Sequence, residues 1–259
     1  MDPSHLVAGL LLAVVVGVLL GLLGGGGSIL TVPILTYVLG MPPREAIASS
    51  LFIVGTTSAV SVIAHARQGR VRWRTGLLFG AAGMAGAFAG GLVGGLLPGA
   101  VLMVLFAAMM IATAVAMIRG RRGTTPGTAP ERPVGRILLD GFLVGIATGL
   151  VGAGGGFLIV PALTLLGGLP IAIAIGTSLL IIAMKSYAGL AGYLFAVQLN
   201  WPVVLAFTGT AVAGSFVGSA LAGRLPERAL RTGFGIFVLA MGAFVLFQEL
   251  PRLLALAPG

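Results

Sequence analysis

Long apolar runs, continuous rather than alternating and separated by short basic stretches, leave this chain few folds to choose from. Hydrocarbon offers no water to satisfy backbone N–H and C=O groups, so only helices and closed barrels can cross it. A barrel strand alternates lipid-facing and lumen-facing residues; runs without alternation select helices. Composition agrees, with 58% hydrophobic and 8% charged residues, where a soluble domain carries about 25% charged. The 43 glycines and 14 prolines are too many for a soluble helical core. Membrane helices tolerate them because neighbouring helices re-satisfy the freed backbone groups. An all-α polytopic membrane protein is therefore expected.

The formal charge of +9 does not indicate nucleic acid, because 12 of the 15 Lys and Arg fall in three short loops between apolar segments. That is the positive-inside pattern of a membrane protein. The exceptions are Arg44, Arg252 and the intramembrane Lys185. Cysteine is absent, which excludes disulfides, thiolate chemistry and Cys-based metal sites. Residues Met1 to Leu6 contain Asp2 but no Lys or Arg, so residues 6–23 read as a first retained helix rather than a cleaved signal.

The chain is duplicated. A gapless shift of 128 residues lays Gly21-Leu-Leu-Gly-Gly-Gly-Gly-Ser-Ile-Leu-Thr-Val-Pro33 over Gly149-Leu-Val-Gly-Ala-Gly-Gly-Gly-Phe-Leu-Ile-Val-Pro161. The same register pairs Ser50 with Ser178, Ser58 with Ser186, Trp73 with Trp201 and Pro98 with Pro226. Each unit reads as five segments, about 5–23, 28–39, 45–66, 74–96 and 99–118, then about 136–152, 156–167, 171–195, 202–223 and 230–249. Repeat 1 spans 1–118, a cytoplasmic linker 119–135 and repeat 2 spans 136–259. The second segment of each unit has about a dozen residues, too few to cross a core of roughly 30 Å as a helix. Either the preceding glycines complete the crossing or the segment re-enters.

Loop charge sets orientation. The stretch around Trp73 carries Arg67, Arg70, Arg72 and Arg74, whereas its counterpart Ala196-Val-Gln-Leu-Asn200 is neutral. Leu96-Leu-Pro-Gly99 is neutral, whereas its counterpart carries Arg224, Arg228 and Arg231. The two units therefore face opposite ways, with both termini outside and the linker, with Arg119, Arg121, Arg122 and Arg132 and followed at once by Arg136, in the cytoplasm. Inverted repeats with interrupted helices are common in secondary transporters, whose sites lie near the midplane between the repeats.

Several residues could build such a site. The glycines that end at short helices, among them Gly26 and Gly27 before Ser28, and Gly154, Gly155 and Gly156, would expose N–H groups at a positive dipole end, a setting for an anion. Close helix packing is the alternative use of glycine here. The third segments add hydroxyls at matching places: Ser49, Ser50, Thr56, Thr57 and Ser58, against Thr177, Ser178 and Ser186. Their alternative is a bond to the helix's own backbone. Lys185 aligns with Thr57 and breaks the symmetry with a cation. A charge inside a span is a functional-site hypothesis by default, with snorkelling to the interface as the alternative. Asp140 reads as the only acid inside a span, either paired with Arg136 one turn away or part of a proton relay. His65, beside Arg67, reads as interfacial, and Trp73 and Trp201 as interfacial anchors. The glycine ladders Gly86, Gly90, Gly94 and Gly214, Gly218 read as close helix packing. No Walker A, His-Glu-x-x-His or Ser–His–Asp pattern occurs, so the chain does not read as an enzyme and calls for no cofactor or metal.

The two Gly-rich stretches, together with Ala46-Ile-Ala-Ser-Ser-Leu51 and Ala174-Ile-Gly-Thr-Ser-Leu179, resemble the TauE/SafE sulfite exporter family over nearly the whole chain. The resemblance implies a bacterial inner-membrane permease for sulfite or related sulfur-containing anions such as organosulfonates, with the Gly-rich turns and the Ser/Thr run as its functional core. Ala48-Ser-Ser50 stands where the family pattern has Gly-Thr-Ser, which leaves the hydroxyls in place. The expected partners are a small anion and the lipid bilayer, not nucleic acid, and a homo-oligomer stays open. An anion channel, or a membrane subunit without transport, are the competing readings.

Overall fold

The computed structural model describes residues 3–23, 27–119, 134–151, 159–160, 163, 169–221 and 227–254. Every regular element among them is helical: α1 (Pro3–Leu23), α2 (Ser28–Pro33), which continues into a π-helical turn (Ile34–Val38), α3 (Pro43–Arg67), α4 (Trp73–Leu96), α5 (Gly99–Arg119), α6 (Val134–Val151), α7 (Ile171–Tyr193), α8 (Trp201–Leu221) and α9 (Glu227–Leu254). The expected segments match these bounds to within a few residues, except that α9 runs on to Leu254. The expected segment 156–167 and the linker fall largely outside the described residues.

Local chemistry explains the breaks. Pro33 has no N–H to give to the turn before it, and the chain widens there into the π-turn, closed by Leu39 N–H donating to Ile34 O at 3.1 Å. Gly40 then takes φ +69°, a left-handed conformation that glycine adopts at no steric cost, and α3 starts with Pro43 at a position where the missing N–H is harmless. At the other end of α3, Gly69 takes φ +68° while its N–H and that of Arg70 donate to Ala66 O and His65 O. This left-handed glycine stop turns the chain into the basic loop.

Helix pairing follows a regular plan. α4 packs on α6 and α7; α8 packs on α1 and α3; α3 packs on α7, and α5 on α9. Glycines let backbones touch in two of these interfaces. A Cβ at Gly86 would overlap the Phe142 carbonyl oxygen, and one at Gly90 that of Ile146. A Cβ at Gly214 would overlap the Val14 carbonyl oxygen, and one at Gly218 that of Val18. In reverse, Gly145 and Gly149 of α6 abut Gly83 and Ala87, as Gly17 and Gly21 of α1 abut Ala211 and Ser215. Each contact in one interface has a twin in the other with both residues displaced by 128.

The core runs along the facing sides of these helices, through Leu20, Ile29, Leu51, Phe106, Ile182 and Phe207. The outer surface is apolar as well, with Leu11, Phe216 and Phe247 among its exposed side chains. Such a surface is a liability in water and a lipid contact in a bilayer. α3, α4, α7 and α8 are long and apolar enough to cross a membrane.

Candidate functional site

α3 and α7 meet at Gly55. A Cβ there would come within 3.2 Å of the Ser186 Cβ and 3.6 Å of the Tyr187 ring. At the same crossing the hydroxyls of Thr56 and Tyr187 are 2.9 Å apart. Thr57, Ser58 and Ser186 are fully buried, and among the described residues their hydroxyl oxygens have no hydrogen-bond partner. Buried hydroxyls left unmatched cost free energy, so each of the three calls for an explanation.

Lys185 stands in the same stretch of α7 at 1% exposure. It does not snorkel. Its Nζ donates to Thr148 Oγ1 of α6 at 2.8 Å, and Thr148 sends its own proton back to the Val144 carbonyl at 2.7 Å. The absence of a side chain at Gly83 on α4 leaves room beside the lysine stem. An ammonium has three N–H donors, and among the described residues Thr148 is the hydrogen-bond partner and no carboxylate is bonded to it. A buried ammonium can bind an oxyanion by charge-assisted hydrogen bonds.

The other expected residues are placed differently. Ser49 is buried with an unmatched hydroxyl, and Ser50 is buried nearby on α3. Thr177 accepts the Arg72 N–H at 3.0 Å, tying the basic loop to α7. Ser178 donates to Ile175 O of its own helix at 2.7 Å. Gly27 lies against α1, where a Cβ would overlap the Val16 carbonyl oxygen, so close packing accounts for this glycine. Ser28 is buried at the start of α2. Gly26, Gly154, Gly155 and Gly156 lie outside the described residues. Asp140 is partly buried on α6, the helix that also carries Thr148.

His65, expected beside the basic loop, is enclosed by the protein: it is 1% exposed and lies 3.4 Å from the Gly21 carbonyl oxygen through Nε2. Asp140 is not the only acid within a helix of the bundle. Glu249 of α9 is 1% exposed and accepts the Tyr37 hydroxyl at 3.1 Å. Its position at the last residue of an expected segment hid it, because an acid there reads as a helix end in water. Trp73 and Trp201 sit half-exposed at the starts of α4 and α8, and the Trp201 ring meets Phe52 edge-on at 5.3 Å.

An all-helical bundle with an apolar exterior and helices long and apolar enough to cross a membrane defines a membrane-embedded protein. The chain matches the family Sulfite exporter TauE/SafE over residues 9–245, and it belongs to that family. A "probable membrane transporter protein" of Xylella fastidiosa is 37% identical over 247 residues, covering 93% of this chain and 94% of the relative. One of Methanocaldococcus jannaschii is 29% identical over 195 residues, covering 71% of this chain and 72% of the relative. A third, from Bacillus subtilis, is 26% identical over 263 residues and covers 92% and 96%. No solved structure matches the chain significantly.

Proposed function

We propose that this protein exports sulfite, or a related small sulfur-containing anion, across the bacterial inner membrane by alternating access. The observation that carries the reading is Lys185, buried and bonded to a neutral hydroxyl, on the same helix as the buried Ser186, whose hydroxyl, like those of Thr57 and Ser58 on α3, has no partner among the described residues. A small oxyanion supplies what these groups lack: negative charge and several acceptor oxygens for donors that have none. Ser49, Ser50 and Thr56 extend the hydroxyl surface along α3, and Ser28 adds a hydroxyl at the start of α2.

The moving parts are two inverted repeats of five segments, with termini in the periplasm and the linker in the cytoplasm. The twinned glycine contacts support this plan, because α4 of the first unit grips α6 as α8 of the second grips α1. Each repeat thus embraces a helix of the other, and rocking about the α3–α7 crossing opens the site to either side. Direction follows from the membrane potential. One charge moved through 100 mV is worth about 2.3 kcal/mol, so an anion leaves a negative interior downhill as a uniport.

Counterflow of labelled sulfite in proteoliposomes tests the reading. The wild type is expected to accumulate label against an unlabelled internal pool, and Lys185→Met to lose most of that uptake. Flux without counterflow would make the protein an anion channel, and no uptake by folded protein would remove sulfite from consideration.

A further inference from the structure

His65 and Tyr193 are 128 residues apart, and both close the same kind of joint. His65 stands in the last turn of α3 and Tyr193 is the last residue of α7. His65 meets Gly21 O in the last turn of α1; because a carbonyl only accepts, Nε2 carries the proton of that bond. The Tyr193 hydroxyl donates to Leu150 O in the last turn of α6. Carbonyls at a helix C-terminus have no donor from their own helix, so each side chain meets a standing need. Both are buried, at 1% and 0% exposure. Each also has space made for it: the missing side chain at Gly94 admits the Tyr193 phenol, and a Cβ at Gly176 would come 3.2 Å from the His65 Cβ.

These joints stand immediately before the two Gly-rich stretches, where the first helix of each unit hands over to the short second segment. We propose that His65 and Tyr193 are the paired latches of the transport cycle, positioning residues that hold the end of the first helix of each unit and release in alternation. The inference rests on the inverted-repeat reading, which sets the two latches on opposite sides of the membrane, His65 with the basic loop on the cytoplasmic side. The latches are unequal. At 3.4 Å the His65 contact is longer than an ordinary N–H···O bond, so the side that loads an exported anion carries the weaker hold. The empty protein accordingly opens more readily to the cytoplasm.

The chain has no cysteine, so single reporters can be added to the full-length protein without further changes. Ser186→Cys in the buried centre reports access, read as its labelling rate by a membrane-impermeant maleimide in right-side-out and inside-out vesicles. In that background, His65→Phe is expected to raise labelling from the cytoplasmic face about fivefold, the factor carried by one net hydrogen bond, with little change from the outside. Tyr193→Phe, which keeps the ring and loses only the hydroxyl, is expected to do the reverse. His65→Gln, which restores a donor, should return the rate toward that of the reporter alone. A purely structural role would raise labelling from both faces together, without rescue. Reporters at the exposed Gln68 and Gln198 establish which face each loop occupies. If these two label from the same face, the inverted reading fails and takes the opposed latches with it. If they label from opposite faces while His65→Phe and Tyr193→Phe shift neither rate, or shift the same one, the latch proposal alone is overturned.

Discussion

The ammonium of Lys185 on α7 rests on the hydroxyl of Thr148 on α6, 2.8 Å away, and this bond joins the two helices. Thr148 aligns with Leu20 and Lys185 with Thr57, so the pair exists in one unit only. It makes the two halves chemically unequal at equivalent places.

Removing only the hydroxyl should therefore hurt more than removing both groups. Thr148→Val leaves a buried charge without its partner and is expected to cost about 1–3 kcal/mol of stability. The double variant Thr148→Val with Lys185→Met should recover part of that loss, since replacing both partners by apolar groups is close to neutral. Melting of the detergent-solubilised proteins reads this out, and additive losses would refute the coupling. Sulfite should raise the melting temperature of the wild type but not of the double variant.

Hydroxyls used by the protein and hydroxyls left unmatched should separate in transport. Thr177 already accepts the Arg72 N–H, whereas Ser186 has no partner. Ser186→Ala is expected to raise the KM for sulfite counterflow roughly three- to tenfold, the loss of one hydrogen bond to an anion. Thr177→Val should lower stability and leave KM within about twofold. The reverse ranking would move the site away from the α3–α7 crossing.

Gly86 and Gly214 are twins, each set against a carbonyl oxygen of a facing helix. Alanine at either position should lower the yield of folded protein and its melting temperature to a similar degree, because backbone cannot yield to a methyl group. Gly209, on α8, has no atom within 4 Å of a would-be Cβ. Gly209→Ala should be neutral or stabilising by up to about 1 kcal/mol, the helix-propensity difference. Unequal effects at the twins would argue against equivalent interfaces.

Tyr37, on the π-turn after Pro33, donates to the buried carboxylate of Glu249 and stacks edge-on with Phe244 at 5.6 Å. Tyr37→Phe keeps the ring contact and removes the hydrogen bond, for an expected cost of about 0.5–2 kcal/mol in a membrane helix bundle. Tyr37→Ala should cost more, by losing the aromatic pair as well. Equal melting temperatures for Tyr37→Phe and the wild type would show that Glu249 is held by other groups.

How much of this could be read beforehand depended on whether the cause was local. The helix extents were legible, because apolar continuity, the basic loops, Pro43 and Gly69 act within a few residues of where they stand. Lys185 was legible as a buried cation because it lies far from both ends of its segment. His65 was not, because Arg67 two residues on makes it look interfacial, and only the packed end of α1 buries it. Thr177 and Ser186 look alike as hydroxyls in one apolar helix; the loop that folds back through Arg72 is what distinguishes them.

The amino-acid sequence by itself determined that the chain is helical and membrane-bound, that it is duplicated with a shift of 128, and that a lone cation sits within its apolar core. Those properties follow from transfer free energy and backbone hydrogen bonding, which act residue by residue along the chain. Tertiary structure alone decided that Lys185 rests on Thr148, that Thr57, Ser58 and Ser186 have no hydroxyl partner among the described residues, and that His65 and Tyr193 close equivalent joints. Inside a bilayer the hydrophobic effect does not select one helix partner over another, because lipid is as apolar as leucine. Partner choice rests on where glycines let backbones meet, a property of two surfaces together.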